Sequence, residues 1–263
     1  MHKHVTLLAL LTSLQRKEKG FAYFETHAGR GIYAVSQPSA EAATGIGRFT
    51  GGHYQTDELR NYAELVAKVR ARRQLPHAYP GSPVIAAQAL RPQDRAVFCE
   101  IVPAEARLLE RALEGNARMR VERGEGFERL RAWLPPVERR GLIFIDPPYE
   151  QSRQDFEQVT AAVADALQRF STSVLAAWYP IKDEREIRHW RESFCAAVGC
   201  ESLASELWLY PRDSKVALNG SGMLIVNPPY QLAERMALWL PELQERLDVG
   251  HAGGTSVTKL AGR

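Results

Sequence analysis

The sequence predicts an α/β fold, a mostly parallel sheet covered by helices, and three observations carry that prediction. Short apolar or β-branched runs alternate with longer amphipathic stretches along most of the chain. The length of 263 residues suits one large domain, with room for an inserted subdomain. Glycines and acids recur just after the apolar runs, where parallel sheets keep their ligand-facing ends. The strands are expected at 21–25, 96–101, 120–122, 142–146, 174–178, 206–209 and 223–227, and the helices at 3–17, 103–114, 127–134, 155–170, 184–198 and 233–246. No long helix separates the last two strands, so the sheet is expected to close on an antiparallel hairpin as its seventh strand.

One region breaks the alternation. Residues 36–77 carry no strand signal, a loop with Gly45, Gly47, Gly51 and Gly52, and a helix near 56–73. They read as a small helical insertion after the first strand, splitting a core of residues 1–35 and 78–263. Its Arg60, Lys68, Arg70, Arg72 and Arg73 offer either phosphate contacts or a plain solvated helix face.

Composition narrows the function only a little. Hydrophobic residues make up 45% of the chain, and none of its apolar runs reaches the roughly 18 residues a membrane span needs. The apolar stretch after His4 is broken by Thr6, Thr12 and Ser13 and has no small-residue cleavage site, so a first helix is the better reading than a signal peptide. Cys99, Cys195 and Cys200 lack metal-ligand spacing and do not suggest a disulfide framework; a cytoplasmic protein without metal is expected. A net charge of +3 permits a nucleic-acid partner without requiring one.

The sharpest chemical signal is Asp146-Pro147-Pro148-Tyr149, directly after Leu142-Ile143-Phe144-Ile145. The amino group of an aromatic base is a poor nucleophile because its lone pair is delocalised into the ring. A carboxylate and a nearby carbonyl can each accept one of its N–H bonds and stabilise the charge that develops on nitrogen. Prolines stiffen the turn and, lacking N–H donors, leave carbonyls free; Tyr149 can stack on the base. A proline-terminated strand with a chance aspartate is the plainer reading. A second copy, Asn227-Pro228-Pro229-Tyr230, follows a strand expected to run antiparallel, so its end points away from the ligand face and it is assigned to structure.

The other strand ends fit a nucleotide-like ligand. Gly29 and Gly31 in Glu25-Thr26-His27-Ala28-Gly29-Arg30-Gly31 allow close backbone approach after the first strand. Glu100 closes the second strand, where an acid commonly accepts from a ribose diol. Glu125-Gly126-Phe127 follows the third. In Tyr79-Pro80-Gly81-Ser82-Pro83, Ser82 is expected as the N-cap of a helix with Pro83 at its first position, a terminus that also suits a carboxylate. Each piece has a dull alternative: a turn, an exposed charge, a helix N-terminal acid.

Together these residues resemble the RlmJ family of bacterial 23S ribosomal RNA adenine-N6 methyltransferases. The likeness runs over nearly the whole chain: Lys3-His4, Thr26-His27-Ala28-Gly29, Tyr79-Pro80-Gly81-Ser82-Pro83, Gly126-Phe127, Leu134-Pro135-Pro136, Arg139-Arg140-Gly141-Leu142-Ile143, Asp146-Pro147-Pro148-Tyr149-Glu150, Trp178-Tyr179-Pro180, Ser221-Gly222-Met223 and Asn227-Pro228-Pro229. It implies a Rossmann-like, seven-stranded class I fold that depends on S-adenosylmethionine (SAM), with a helical insertion after the first strand. It also implies a monomer acting on protein-free 23S rRNA. In that reading His4, His27, Ser82, Glu100, Glu125, Gly126 and Asp146 surround SAM, Asp146 is catalytic, and Lys3, Pro147, Pro148 and Tyr149 meet the substrate. The resemblance further implies a stretch like Tyr-x-His-x-x-His-Ala-Gly-Asn-x-Ala-Asp ahead of Lys3-His4 that helps enclose cofactor and substrate; the sequence given begins at Met1, after that point. Glu125 stands where relatives usually carry Asp, one methylene shorter.

Three rival readings fit parts of the pattern. A DNA adenine methyltransferase would use the same chemistry, a protein-glutamine methyltransferase would use Asn227, and a shortened relative would be an inactive RNA-binding protein.

Overall fold

A computed structural model describes residues 1–34, 49, 52–150, 152–212, 218–248, 250 and 252–260. The expected glycine loop at Gly45, Gly47 and Gly51 lies outside the described residues. The chain opens with α1 (His2–Gln15), β1 (Ala22–Glu25) and the short β2 (Ile32–Ala34). Next come α2 (Asp57–Arg73), β3 (Ala78–Pro80) and α3 (Ser82–Ala89). Three strand–helix units follow: β4 (Arg95–Glu100) with α4 (Pro103–Ala112), β5 (Met119–Arg123) with α5 (Gly126–Trp133), and β6 (Gly141–Ile145) with α6 (Ser152–Arg169). The chain continues with β7 (Val174–Ile181), α7 (Glu184–Val198), β8 (Ser202–Trp208), β9 (Gly220–Val226), α8 (Leu232–Leu247) and β10 (Gly254–Leu260).

One sheet organises these elements, in the order β10-β8-β9-β7-β6-β1-β4-β5. β1 is central and parallel to both β4 and β6, while β9 runs antiparallel between β7 and β8. The expected antiparallel close is therefore present, but the sheet has eight strands, not seven. β10 pairs antiparallel with β8 at the edge, from Gly254↔Trp208 to Leu260↔Ser202. Its side chains are half-buried or exposed, the ordinary state of an edge strand, and that removed the apolar signal from the sequence.

Two apolar layers sandwich the sheet. On one face the core combines Val5–Leu14 of α1 with Leu59, Tyr62 and Val66 of α2, Ile85 of α3, Leu109 of α4 and Trp239 of α8. On the other it joins Leu130 of α5, Val159 and Val163 of α6, and Trp190 and Phe194 of α7. α1 is buried over most of its surface, with Thr12 left exposed: it lies against β6 and β9 and is overlaid by α2 and α3. Its start is fastened to the sheet by His2, whose ring nitrogens lie 3.1 Å from Ser221 Oγ and 2.9 Å from Ser205 Oγ. Burial pushes His2 down to about 3, so it stays neutral.

β2 and β3 pair as a two-stranded antiparallel ribbon, in register from Ile32↔Pro80 to Ala34↔Ala78. Of the basic residues of α2, Arg60 bonds Asp57 and two backbone carbonyls, Arg70 donates to Ala78 O, and Arg73 donates to Ala112 O. These three hold α2 in place, so they are not a free phosphate-binding row.

Asn227 serves as a staple at the far end of the sheet. Its Nδ2 donates to Ser171 O (2.9 Å) and Ser173 O (2.8 Å), its backbone N–H donates to Glu201 O (3.0 Å), and its φ is +51°. Asn227→Ala loses the side-chain bonds and leaves alanine in the left-handed region. It should lower the unfolding free energy by about 2 kcal/mol in denaturant titration.

Candidate active site

The order of the strands reverses beside β1, and the strand ends there diverge into a crevice. A cleft of about 740 Å³ occupies it, lined by Lys3 and His4 from α1, Thr26–Gly29 after β1, Tyr79, Gly81 and Ser82, Glu100 after β4, Gly124–Phe127 before α5, Asp146–Pro148 after β6, and Asp155 and Gln158 from α6. All seven residues expected around the cofactor lie there, with Lys3, Pro147 and Pro148 from the substrate set.

Glycine shapes the cleft where backbone segments meet. A Cβ on Gly126 would run into Thr26 O, so only glycine lets α5 start this close to β1. Gly29 and Gly31 have φ of +65° and +80°, which turns the chain sharply after β1. Glu100 locks that turn: its Oε2 accepts from Gly29 N (2.7 Å) and its Oε1 from Val102 N (2.8 Å). Each oxygen keeps a further lone pair for a ligand hydroxyl. Glu125 caps α5, accepting from Phe127 N (3.1 Å) and Glu128 N (2.8 Å), so the helix-terminal role and the cleft position coexist.

Part of this lining, backed by the buried Tyr23 and Glu25, forms a polar wall. Ser82 is not the N-cap of α3; Gly81 is, with Ser82 and Pro83 at the first two helical positions. The Ser82 hydroxyl donates instead to Glu25 Oε1, and Tyr23 OH donates to Glu25 Oε2 at 2.8 Å. Burial pushes Glu25 up to about 8 against the pull of those two hydroxyls. His4 Nδ1 lies 2.8 Å from Tyr79 OH, and burial, with Lys3 adding to it, holds the ring well below its usual range. His27 is also lowered by burial; its Nδ1 lies 2.8 Å from Thr26 Oγ1 and its ring meets Phe127 edge-on. Both histidines thus face the cleft neutral. Sequence reasoning missed Glu25 and Tyr79 as site residues, although both stand inside the motifs that flank the cleft.

Asp146 forms an ion pair with Lys3, whose ammonium also lies 5.2 Å from the centre of the Trp178 ring. The Pro147 carbonyl accepts no hydrogen bond from any described residue. Tyr149 departs from expectation. It lies outside the cleft lining, its hydroxyl donates to Trp178 O at 2.5 Å, and its ring packs on Phe156 and Trp178. In this structure it buttresses the turn.

The strand order and the crevice lined by one segment per strand end define a class I methyltransferase fold. Over residues 18–260 the chain matches the family described as "Ribosomal RNA large subunit methyltransferase D, RlmJ". It is 37% identical to ribosomal RNA large subunit methyltransferase J of Escherichia coli K12, over 95% of this chain and 91% of the relative. The corresponding protein of Haemophilus influenzae is 34% identical over 93% and 88%. Among solved structures, protein LPL1258 of Legionella pneumophila superposes with a TM-score of 0.86 at 33% identity, covering 99% of this chain and 95% of that one. The chain belongs to the RlmJ family and is an RNA methyltransferase.

Two outcomes test the site. Gly126→Ala should displace α5 from β1 and weaken binding of S-adenosylhomocysteine at least tenfold in calorimetry, since no flexible side chain is available to yield. Glu25 makes stability pH-dependent. Its folded value of about 8 lies above the ordinary 4.5, so its contribution is full below pH 4.5 and lost as pH rises to 8. Glu25→Gln should flatten the fall in stability across that window in denaturant titrations.

Proposed function

We propose that this enzyme transfers a methyl group from SAM to the exocyclic N6 of an adenine in 23S rRNA. The observation that carries the reading is Asp146 on its two-proline turn, set in the same cleft as His4, His27, Ser82 and Glu100. The cleft suits SAM: its volume falls within the range of small-ligand sites, four glycines line it, and Glu100 retains lone pairs for a ribose diol. Glu100 would take the ribose, Gly126 with Glu125 the adenine edge, and Ser82 with the start of α3 the carboxylate. When bound there, SAM supplies an electrophilic methyl group on a sulfonium.

The chain's own residues supply position and charge. The target adenine turns out of its stack at a cost of a few kcal/mol. Asp146 accepts one N6–H and the Pro147 carbonyl accepts the other, which aims the nitrogen lone pair into the cleft. A carboxylate is too weak a base to deprotonate a neutral arylamine beforehand. The N–CH3 bond therefore forms as the S–CH3 bond breaks, and the surplus proton passes from the cationic nitrogen to Asp146 and then to solvent. Lys3, already paired with Asp146, must share that carboxylate with the incoming amine, which places it beside the substrate. Residues 36–77 we read as an insertion subdomain, a reading supported by the β2–β3 ribbon at its neck.

The test is Asp146→Ala with labelled SAM and protein-free 23S rRNA. Turnover should drop by a factor of about 10³ or more, while calorimetry still shows cofactor binding. Retained turnover would remove Asp146 from the reaction.

A further inference from the structure

The second Pro-Pro motif has a structural staple in Asn227, yet its last residue has no structural task. Tyr230 is 81% exposed and stands at the rim of a groove of about 580 Å³ at the end of the sheet opposite the cleft. Among the described residues its lining holds four cations, Arg16, Lys17, Arg139 and Arg140, and not one acid. None of the four pairs with a carboxylate among the described residues, although most other arginines of the protein do. Arg140 is held in place by donating to Leu14 O and Lys19 O, and burial lowers it from its usual range. Four like charges gathered in a lining without an acid repel one another and suit an anion.

We propose that this groove is a second RNA contact, in which the cations hold consecutive phosphates and Tyr230 stacks on an unpaired base. The inference rests on the reading that the substrate is rRNA. Phosphate contacts by arginine and lysine combined with an aromatic platform are the physical means of gripping a single strand. The turn is built to present the ring: Asn227 is tied to three carbonyls, and Pro228 and Pro229 restrict the two residues before Tyr230. A ring held out by a rigid turn loses little freedom on stacking.

Its place in the fold sets what it can recognise. α1 runs from the cleft, at Lys3, to the groove, at Ser13 and Leu14, a span of about 17 Å at 1.5 Å per residue. The target nucleotide cannot reach both. The groove therefore selects a longer RNA whose flanking strand passes to the far side of the sheet, and it leaves the chemistry of the cleft untouched.

The test compares wild type with Tyr230→Ala and with the double variant Arg16→Glu, Lys17→Glu, all of exposed residues. Affinity is measured without cofactor, and methyl transfer is measured on protein-free 23S rRNA and on a short fragment cut around the methylated adenine. On the long RNA, Tyr230→Ala should weaken binding and raise KM fivefold or more, and the double variant tenfold or more with a shallower salt dependence. kcat, and KM on the short fragment, should stay at wild-type values. Wild-type affinity in both variants overturns the proposal, including the case of an acidic protein occupying the groove. Equal losses on both RNAs overturn it too, because they indicate general damage. If the wild type itself neither binds nor methylates rRNA, the substrate reading fails, and this inference falls with it.

Discussion

The parallel pairing of β6 against β1 is the constraint on which the rest depends. Phe144 sits opposite Glu25, so the chain leaves β6 at Asp146 just as it leaves β1 toward Thr26 and His27. β4 flanks β1 on its other side, with Glu25 opposite Phe98, so Glu100 leaves its strand at the same level. Three consecutive strands thus deliver a carboxylate, a glycine turn and a second carboxylate to one line. A slip of one residue in β6 would send Asp146 to the opposite face of the sheet, because side chains alternate with period two.

That line is useful because what lies behind it is rigid and dry. Tyr23, Glu25 and Ser82 are fully or nearly fully buried and bonded to one another, and His4 with Tyr79 continues the wall. Buried polar groups of this kind are costly unless satisfied, and here each has a partner. α1 completes the arrangement. It is a largely buried helix that brings Lys3 to Asp146 while His2 anchors its first turn to β8 and β9. The charge on Lys3 is thereby held at the cleft by packing some distance from it.

Much of this was legible from residues alone, and the misses have physical reasons. The central strands showed because their residues are apolar on both faces, and the cleft showed because each strand ended on a glycine or an acid. β8 runs Ser202–Trp208, against 206–209 expected, because Ser202, Ser205 and Glu206 are buried polar residues satisfied by partners such as Tyr179 OH and Arg191, which no local pattern reveals. β2 and β3 have three residues each and exist through pairing with each other across a long stretch of sequence. Pro83 marked the start of α3 correctly to within a residue, but the hydroxyl of Ser82 answers to Glu25, a residue distant in sequence. Tyr149 shows the same limit: its motif fixes the turn, while Phe156 and Trp178 decide where the ring goes.

The central claim is that Asp146 and the Pro147 carbonyl together hold an aromatic amine for attack. A crystal structure with S-adenosylhomocysteine and adenosine monophosphate tests it most directly. The account predicts the adenine amine at about 3 Å from both an Asp146 carboxylate oxygen and Pro147 O, with Lys3 moved aside to share the carboxylate. An adenine whose amine faces away from Asp146, with the Lys3 pair undisturbed, would contradict it.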